Sequence, residues 1–188
     1  MVMTKKIQQI LKGVWISCIL ICLLAYLVDP TIFSNNTLVA FINKFSGYAW
    51  GTYFLIHVLR GFVLLPSTPL IFAGVILFPN DLVWVLIVSL IGILSSSLLI
   101  YYCSDKLGFS KLFKKRNDKL NLIKEKLSGK HGFFYILLWS FLPIVPTDLI
   151  CYVSGAIRVK IPVFISSLFL GELVLCSIYI FGASMFIN

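Results

Sequence analysis

The sequence predicts an all-α integral membrane protein. Its expected plan is an inverted repeat of a re-entrant hairpin plus a transmembrane helix, with an N-terminal transmembrane helix and an amphipathic connector. Three observations lead there. Of 188 residues, 60% are hydrophobic and 12% charged, with a mean hydropathy of +1.00, whereas ordinary soluble domains carry about a quarter charged residues. Two apolar stretches are each interrupted by paired prolines: LLPSTPLIFAG at 64–74 and WSFLPIVPTDLICYVSG at 139–155. Proline removes a backbone donor and clashes with the preceding turn, and such a break at membrane depth survives only beside protein or a wet cavity. Acids fall inside apolar sequence at Asp148 and Glu172, where an ionisable group marks a functional site by default. Broken segments in corresponding places are the pattern of an inverted-repeat transporter with its site between the breaks.

Charge fixes the orientation. The net charge is +9. Its basic residues cluster between Lys106 and Lys130, and Lys5, Lys6 and Lys12 precede the first apolar run. By the positive-inside rule both regions face the cytoplasm, and the connector contacts anionic headgroups. Nucleic-acid binding is disfavoured, because the remaining sequence offers no recognition fold. Cys18, Cys22, Cys103, Cys151 and Cys176 all lie in apolar sequence without CxxC or Cys/His clustering. They read as small buried hydrophobes, with no metal or cofactor implied.

The chain is expected to form a single membrane domain with four parts. Residues 1–48 hold an N-terminal helix and an interfacial segment. Gly13–Val28 is apolar and ends at Asp29-Pro30; at about 1.5 Å per residue it reaches roughly 24 Å, which snorkelling by Lys12 extends. A cleaved signal peptide is the rival reading, against which stands the lack of a small-residue cleavage site. Thr31–Tyr48, mixing aromatic and polar residues, suits an interfacial helix. Residues 49–104 form a first hairpin plus span, the span being the charge-free run between Asp81 and Asp105. Gly92 and Ser95–Ser97 in that run are small enough for close helix approach. Residues 105–130 form the basic connector, where Phe109, Leu112, Phe113, Leu120, Ile123 and Leu127 recur at helical spacing and give an apolar face for an anionic leaflet. A solvated charged linker is the plainer alternative. Residues 131–188 form a second hairpin plus span, interrupted by Gly171-Glu172.

Parity sets the topology. A cytoplasmic N-terminus and a cytoplasmic connector require an even number of crossings between them. The first helix and 81–104 supply two, so 49–78 contributes none or two. Its halves are short for full crossings, so it reads as a hairpin entering from outside, and 131–159 as its upside-down counterpart. Six kinked spans are the competing topology.

These residues resemble the DedA-like family, also called the SNARE-associated or VTT-domain family, over about Thr52 to Ser184. The likeness is carried by Arg60, Pro66, Pro69 and Gly74, then by KHG at 130–132, FLPIVPTDLICYVSG at 141–155 and LFLGELV at 168–174. It implies re-entrant hairpins meeting at the bilayer centre and movement of lipids between leaflets, undecaprenyl phosphate in bacterial members and phospholipid in eukaryotic ones. This chain departs from many members. Ser67 and Thr68 stand where an acid is common, Ser140 where an arginine is common, and Pro146 where some carry a second arginine.

The expected substrate-binding residues are Arg60, Pro66, Ser67, Thr68 and Pro69 from the first break, with Pro143, Pro146, Thr147 and Asp148 from the second. Each break starts a half-helix whose free amides and partial positive charge suit a phosphate, and Arg60 adds a bidentate contact. Capping alone is the plain alternative for Thr68 and Asp148. For Arg60 it is snorkelling, or an ion pair with Asp148 or Glu172. Ionised and buried, Glu172 would cost several kcal/mol, so Asp148 and Glu172 are expected as a proton-coupling pair opposing Arg60. His57, one turn before Arg60, reads more simply as a satisfied polar residue. The function expected is a lipid transporter of flippase or scramblase type in the cell membrane, homo-oligomeric or not. A proton-coupled small-solute or ion transporter and a non-transporting membrane scaffold are the alternatives. No nucleophile–base pair, metal spacing or phosphate loop points to an enzyme.

Overall fold

The computed structural model describes residues 5–107, 118–142 and 146–187. The described residues are helical, without a strand. Helix α1 (Lys5–Val28) stops before Asp29, whose backbone is extended (φ −144°, ψ 97°) because proline follows. The Asp29 carboxylate then accepts from the Thr31 amide and hydroxyl, and a short 3-10 turn (Pro30–Phe33) leads to α2 (Asn35–Asn43), capped by Ser34. The interfacial segment expected at 31–48 is therefore a short helix between two 3-10 turns, the second at Ser46–Tyr48. Then come α3 (Ala49–Arg60), α4 (Thr68–Leu77) and α5 (Leu82–Leu107). After them lie α6 (Asp118–Ser128), α7 (Gly132–Phe141), α8 (Thr147–Ile157) and α9 (Ile161–Ile187).

Length sorts these helices. Among the described residues, α5 and α9 contain runs long and apolar enough to cross a membrane, Leu82–Ser104 and Ile161–Phe186. The helices flanking the breaks have 12, 10, 10 and 11 residues, so each reaches no more than about 18 Å of a roughly 30 Å hydrocarbon core. Helix α9 runs as one helix through Gly171-Glu172, which interrupt the apolar sequence of the expected last span without breaking it.

Among the described residues, two apolar cores form at opposite ends of the long helices. One joins Ile42, Tyr53, Ile71 and Val75 to Val85 and Ile93 early in α5, and to Cys176 and Ile180 late in α9. The other joins Ile136, Ile150, Cys151 and Tyr152 to Ile100 late in α5, and to Phe164 and Leu168 early in α9. The start of one long helix thus shares a core with the end of the other, so they run antiparallel. Packing is crossed: α5 meets α3 and α8, while α9 meets α7 and α4. Outward faces stay apolar, with Leu20, Leu24, Leu27, Trp84, Ile91, Phe134 and Ile178 exposed, as hydrocarbon solvent permits.

Polar contacts tie the helices at depth. Tyr53 and Ser89 share a buried hydrogen bond of 2.7 Å between α3 and α5. The Tyr101 hydroxyl donates to the Val159 carbonyl at 2.6 Å. Gly155 is where α8 crosses α5: a Cβ there would collide with the Tyr101 carbonyl and the Ser104 hydroxyl. Helix α8 then ends with Arg158 left-handed (φ 58°), while the Arg158 and Val159 amides donate to Gly155 and Ser154.

Two expectations change. The connector's Phe109, Leu112 and Phe113 lie outside the described residues. In α6, Leu127 is buried in the second core and Ile123 is exposed, so part of the expected lipid-facing stripe packs on protein. Cys151 and Cys176 are buried as expected, but Cys18 is exposed on α1 and Cys22 and Cys103 are half-buried, because the outward face of a membrane helix is apolar too. Replacing Gly155 by valine should lower stability in detergent by about 1–3 kcal/mol, read as an earlier thermal unfolding transition. Gly51→Ala, where a Cβ meets nothing within 4 Å, should match or exceed the parent by roughly 0.5–1 kcal/mol.

Candidate functional site

The first break is built by α3 running into a 3-10 turn at Gly61–Val63, after which Leu64 takes the left-handed conformation (φ 58°). The Leu64 amide donates to the Gly61 carbonyl and that of Leu65 to Arg60, so the helix end is closed before the prolines arrive. Left-handed backbone costs a non-glycine residue about 1–2 kcal/mol, which the enclosing contacts offset. Helix α4 restarts at Thr68 with Pro69 in its first turn; Ser67 occupies the N-cap without a side-chain capping bond. The second break follows from the same chemistry. Leu142, before Pro143, is extended (φ −82°, ψ 116°) and ends α7. Helix α8 restarts at Thr147, with Pro146 at the N-cap and no side-chain cap.

Arg60, from the end of α3, meets Asp148, from the first turn of α8. Arg60 Nη1 donates to Asp148 Oδ2 at 3.2 Å and to the Leu65 carbonyl at 2.9 Å. Both residues are buried, 6% and 3% exposed. Leaving either charge without the other would cost several kcal/mol, so the pair clamps the two breaks together. Among the described residues, Arg60 Nε has no hydrogen-bond partner. The contact uses one nitrogen of a five-donor fork.

Glu172 lies midway along α9, 1% exposed. Its carboxylate accepts from Cys176 Sγ at 3.7 Å, and the Thr147 side chain lies beside it. It makes no ion pair among the described residues, so Arg60 takes Asp148 rather than Glu172 as its partner. Gly61 permits this approach: a Cβ there would strike Ser96 Oγ and come within 2.9 Å of Asp148 Oδ1. His57 is completely buried, edge-on to Tyr53 at 4.7 Å and packed over Gly92, and neither ring nitrogen is hydrogen-bonded among the described residues. It is not the satisfied polar residue that was expected.

The residues expected at this site are thus distributed unevenly. Arg60, Thr147, Asp148 and Glu172 come together. Asp148 serves as an ion-pair partner, not as a cap, and Thr68 is the first residue of its helix rather than the cap. Pro66 is exposed, Ser67 and Pro69 are half-buried and Pro146 is exposed at the α8 start. Pro143 lies outside the described residues.

A further contact was missed by sequence reasoning. Trp15 Nε1 donates to the Phe62 carbonyl at 2.8 Å and to the Tyr152 hydroxyl at 3.0 Å, and the two rings meet edge to face at 5.5 Å. Tyr152 is one turn beyond Asp148 and Phe62 two residues beyond Arg60, so α1 fastens both sides of the ion pair from behind. Within an apolar run, one tryptophan carries no signal that separates it from a lipid-facing residue.

Arg60→Gln should destabilise the protein by about 3–5 kcal/mol, because it strands the Asp148 charge. Adding Asp148→Asn should recover a large part, and the double-mutant cycle measured by unfolding in detergent gives the coupling. Trp15→Phe, which keeps the ring and loses the donor, should cost about 1 kcal/mol in the same measurement.

The sequence profile of the VTT domain matches residues 65–185. No curated protein and no solved structure gives a match. The matched stretch takes in α4, α5, Asp148 and Glu172, with Arg60 just ahead of it and Trp15 well before it. With two long apolar helices, paired proline breaks and a profile covering most of its length, the chain belongs to the VTT-domain family of membrane proteins, that of the DedA and SNARE-associated proteins.

Proposed function

We propose that this protein moves a phosphate-bearing lipid between bilayer leaflets, with the headgroup passing the Arg60–Asp148–Glu172 cluster and the tails remaining in hydrocarbon. The observation carrying this reading is the buried Arg60–Asp148 pair at the junction of two helix breaks. An intramembrane ion pair is costly to maintain for packing alone. A phosphate offers Arg60 a bidentate partner, so it competes with the single-nitrogen contact to Asp148. The α4 and α8 N-termini, without side-chain caps, add amide donors and dipole. Ser96, Ser154 and His57 hold spare hydrogen-bonding capacity on α5, α8 and α3, of the kind a headgroup path needs. Asp148 and Glu172 take up and release the proton that lets Arg60 change partners.

The crossed packing supports the inverted-repeat plan. Each long helix packs on the first arm of its own broken segment and on the second arm of the other: α5 on α3 and α8, α9 on α7 and α4. Arms of 10–12 residues fit hairpins that turn back at mid-bilayer. With the N-terminus and connector cytoplasmic, the first hairpin enters from outside and the second from inside the cell membrane. The basic connector then rests against anionic headgroups.

In liposomes containing the purified protein, labelled phospholipid or polyprenyl phosphate should exchange between leaflets, and Arg60→Gln should slow exchange by at least about tenfold, the loss of one buried charge contact. Glu172→Gln and Asp148→Asn should flatten its pH dependence; unchanged pH profiles in both would remove the proton step. Tracer uptake that needs Glu172 while lipid distribution stays fixed would favour a solute carrier instead. For the topology, Pro66→Cys in a cysteine-free background should be shielded from impermeant thiol reagents on the face opposite Ser46→Cys. Labelling from that opposite face would establish two full spans in place of a hairpin.

A further inference from the structure

A cleft of about 220 Å³ lies between the segment after α1 and the first broken segment. Phe33 and Leu38 form one wall; Ile56, Leu59, Arg60 and Val63 form the other, with the floor from the proline-bearing stretch 65–70. Every lining side chain but Arg60 is apolar, and Leu65, Pro66, Pro69 and Leu70 contribute from that stretch. Leu59 and Pro66 are exposed, so the cleft opens on the outer surface of the helix bundle, where a membrane protein meets lipid chains. An apolar cavity of about 150 Å³ already takes benzene, so this one accommodates a longer piece of hydrocarbon.

We propose that this cleft is a hydrocarbon-chain subsite for a membrane amphiphile whose anionic group engages Arg60. The proposal rests on the lipid-moving reading above and adds where the tail lies. Two observations select an amphiphile over a wholly apolar occupant. The wall contains a nearly buried guanidinium, and that guanidinium spends one nitrogen on Asp148 and leaves Nε without a partner among the described residues. A purely apolar guest would exclude water and give Arg60 nothing in return, whereas an anion at the end of a chain satisfies both parts of the cleft. Phe33 and Leu38 precede the family match at 65–185. The matched domain supplies the floor, and both walls, Phe33 with Leu38 and Ile56 to Val63, come from the residues ahead of it.

The test is photochemical. The full chain is reconstituted in phosphatidylcholine–phosphatidylglycerol liposomes with a trace of phosphatidylglycerol carrying a diazirine at one chain terminus, then irradiated and mapped by peptide mass spectrometry. Adducts should concentrate on 33–38 and 56–70. Leu38→Trp, which fills the cleft without touching Arg60, should lower them about tenfold, as exclusion of roughly two methylenes requires. Ile56→Phe provides a second filling variant, with thermal unfolding checked for both. Arg60→Gln should lower adducts from this probe while sparing those from diacylglycerol with the same diazirine chain. Adducts spread evenly over the exposed faces of α1 and α9, or unaffected by both filling variants, would overturn the subsite. Cleft adducts without leaflet exchange would uphold the subsite and overturn the lipid-moving reading; exchange without cleft adducts would do the reverse.

Discussion

A buried guanidinium facing a buried carboxylate is the constraint around which this molecule is arranged. Arg60 and Asp148 are 88 residues apart in sequence and each stands at a helix break. Neither could be withdrawn from water alone. Their contact needs the α3 end, the α8 start and the middle of α5 in one place, and that demand accounts for much of the local detail. Gly61 is bare so that Ser96 and Asp148 can close in. Leu64 accepts a left-handed backbone so that α3 ends beside the pair rather than past it. Trp15 reaches from α1 to hold Phe62 and Tyr152 on either side.

Proline and apolar length made much of the fold legible in the sequence. A residue before proline is pushed to extended backbone, so Asp29 and Leu142 end their helices where the sequence says they should. The charge-free run after Asp81 became α5, and the last apolar run became α9. Periodicity was less informative. It identified an apolar stripe on the connector, but a stripe shows only that something apolar covers it; for Leu127 that cover is α7 and α8 rather than lipid.

The site was half legible. An acid or arginine in apolar sequence is conspicuous, so Arg60, Asp148 and Glu172 stood out. Their roles stayed open between local caps, snorkelling and an ion pair of Arg60 with Asp148 or Glu172, and the fold selects Asp148. Local chemistry made a cap the plain alternative for Asp148, and a distant arginine claimed it instead. The same limit hid Trp15, since its value lies in two acceptors, one 47 and one 137 residues away. His57 was expected to be satisfied, yet its ring sits between Tyr53 and Gly92 without a hydrogen bond among the described residues.

The crossed packing of α5 and α9 carries a consequence for how such a chain is put together. Each long helix leans on one arm from its own half and one from the other, so neither half has a closed interior to itself. A ribosome that has delivered only the first half to the bilayer has made a helix α5 whose late face, around Ile100, still waits for α8. Insertion can therefore proceed in order along the chain, but tertiary closure waits for α8 and α9.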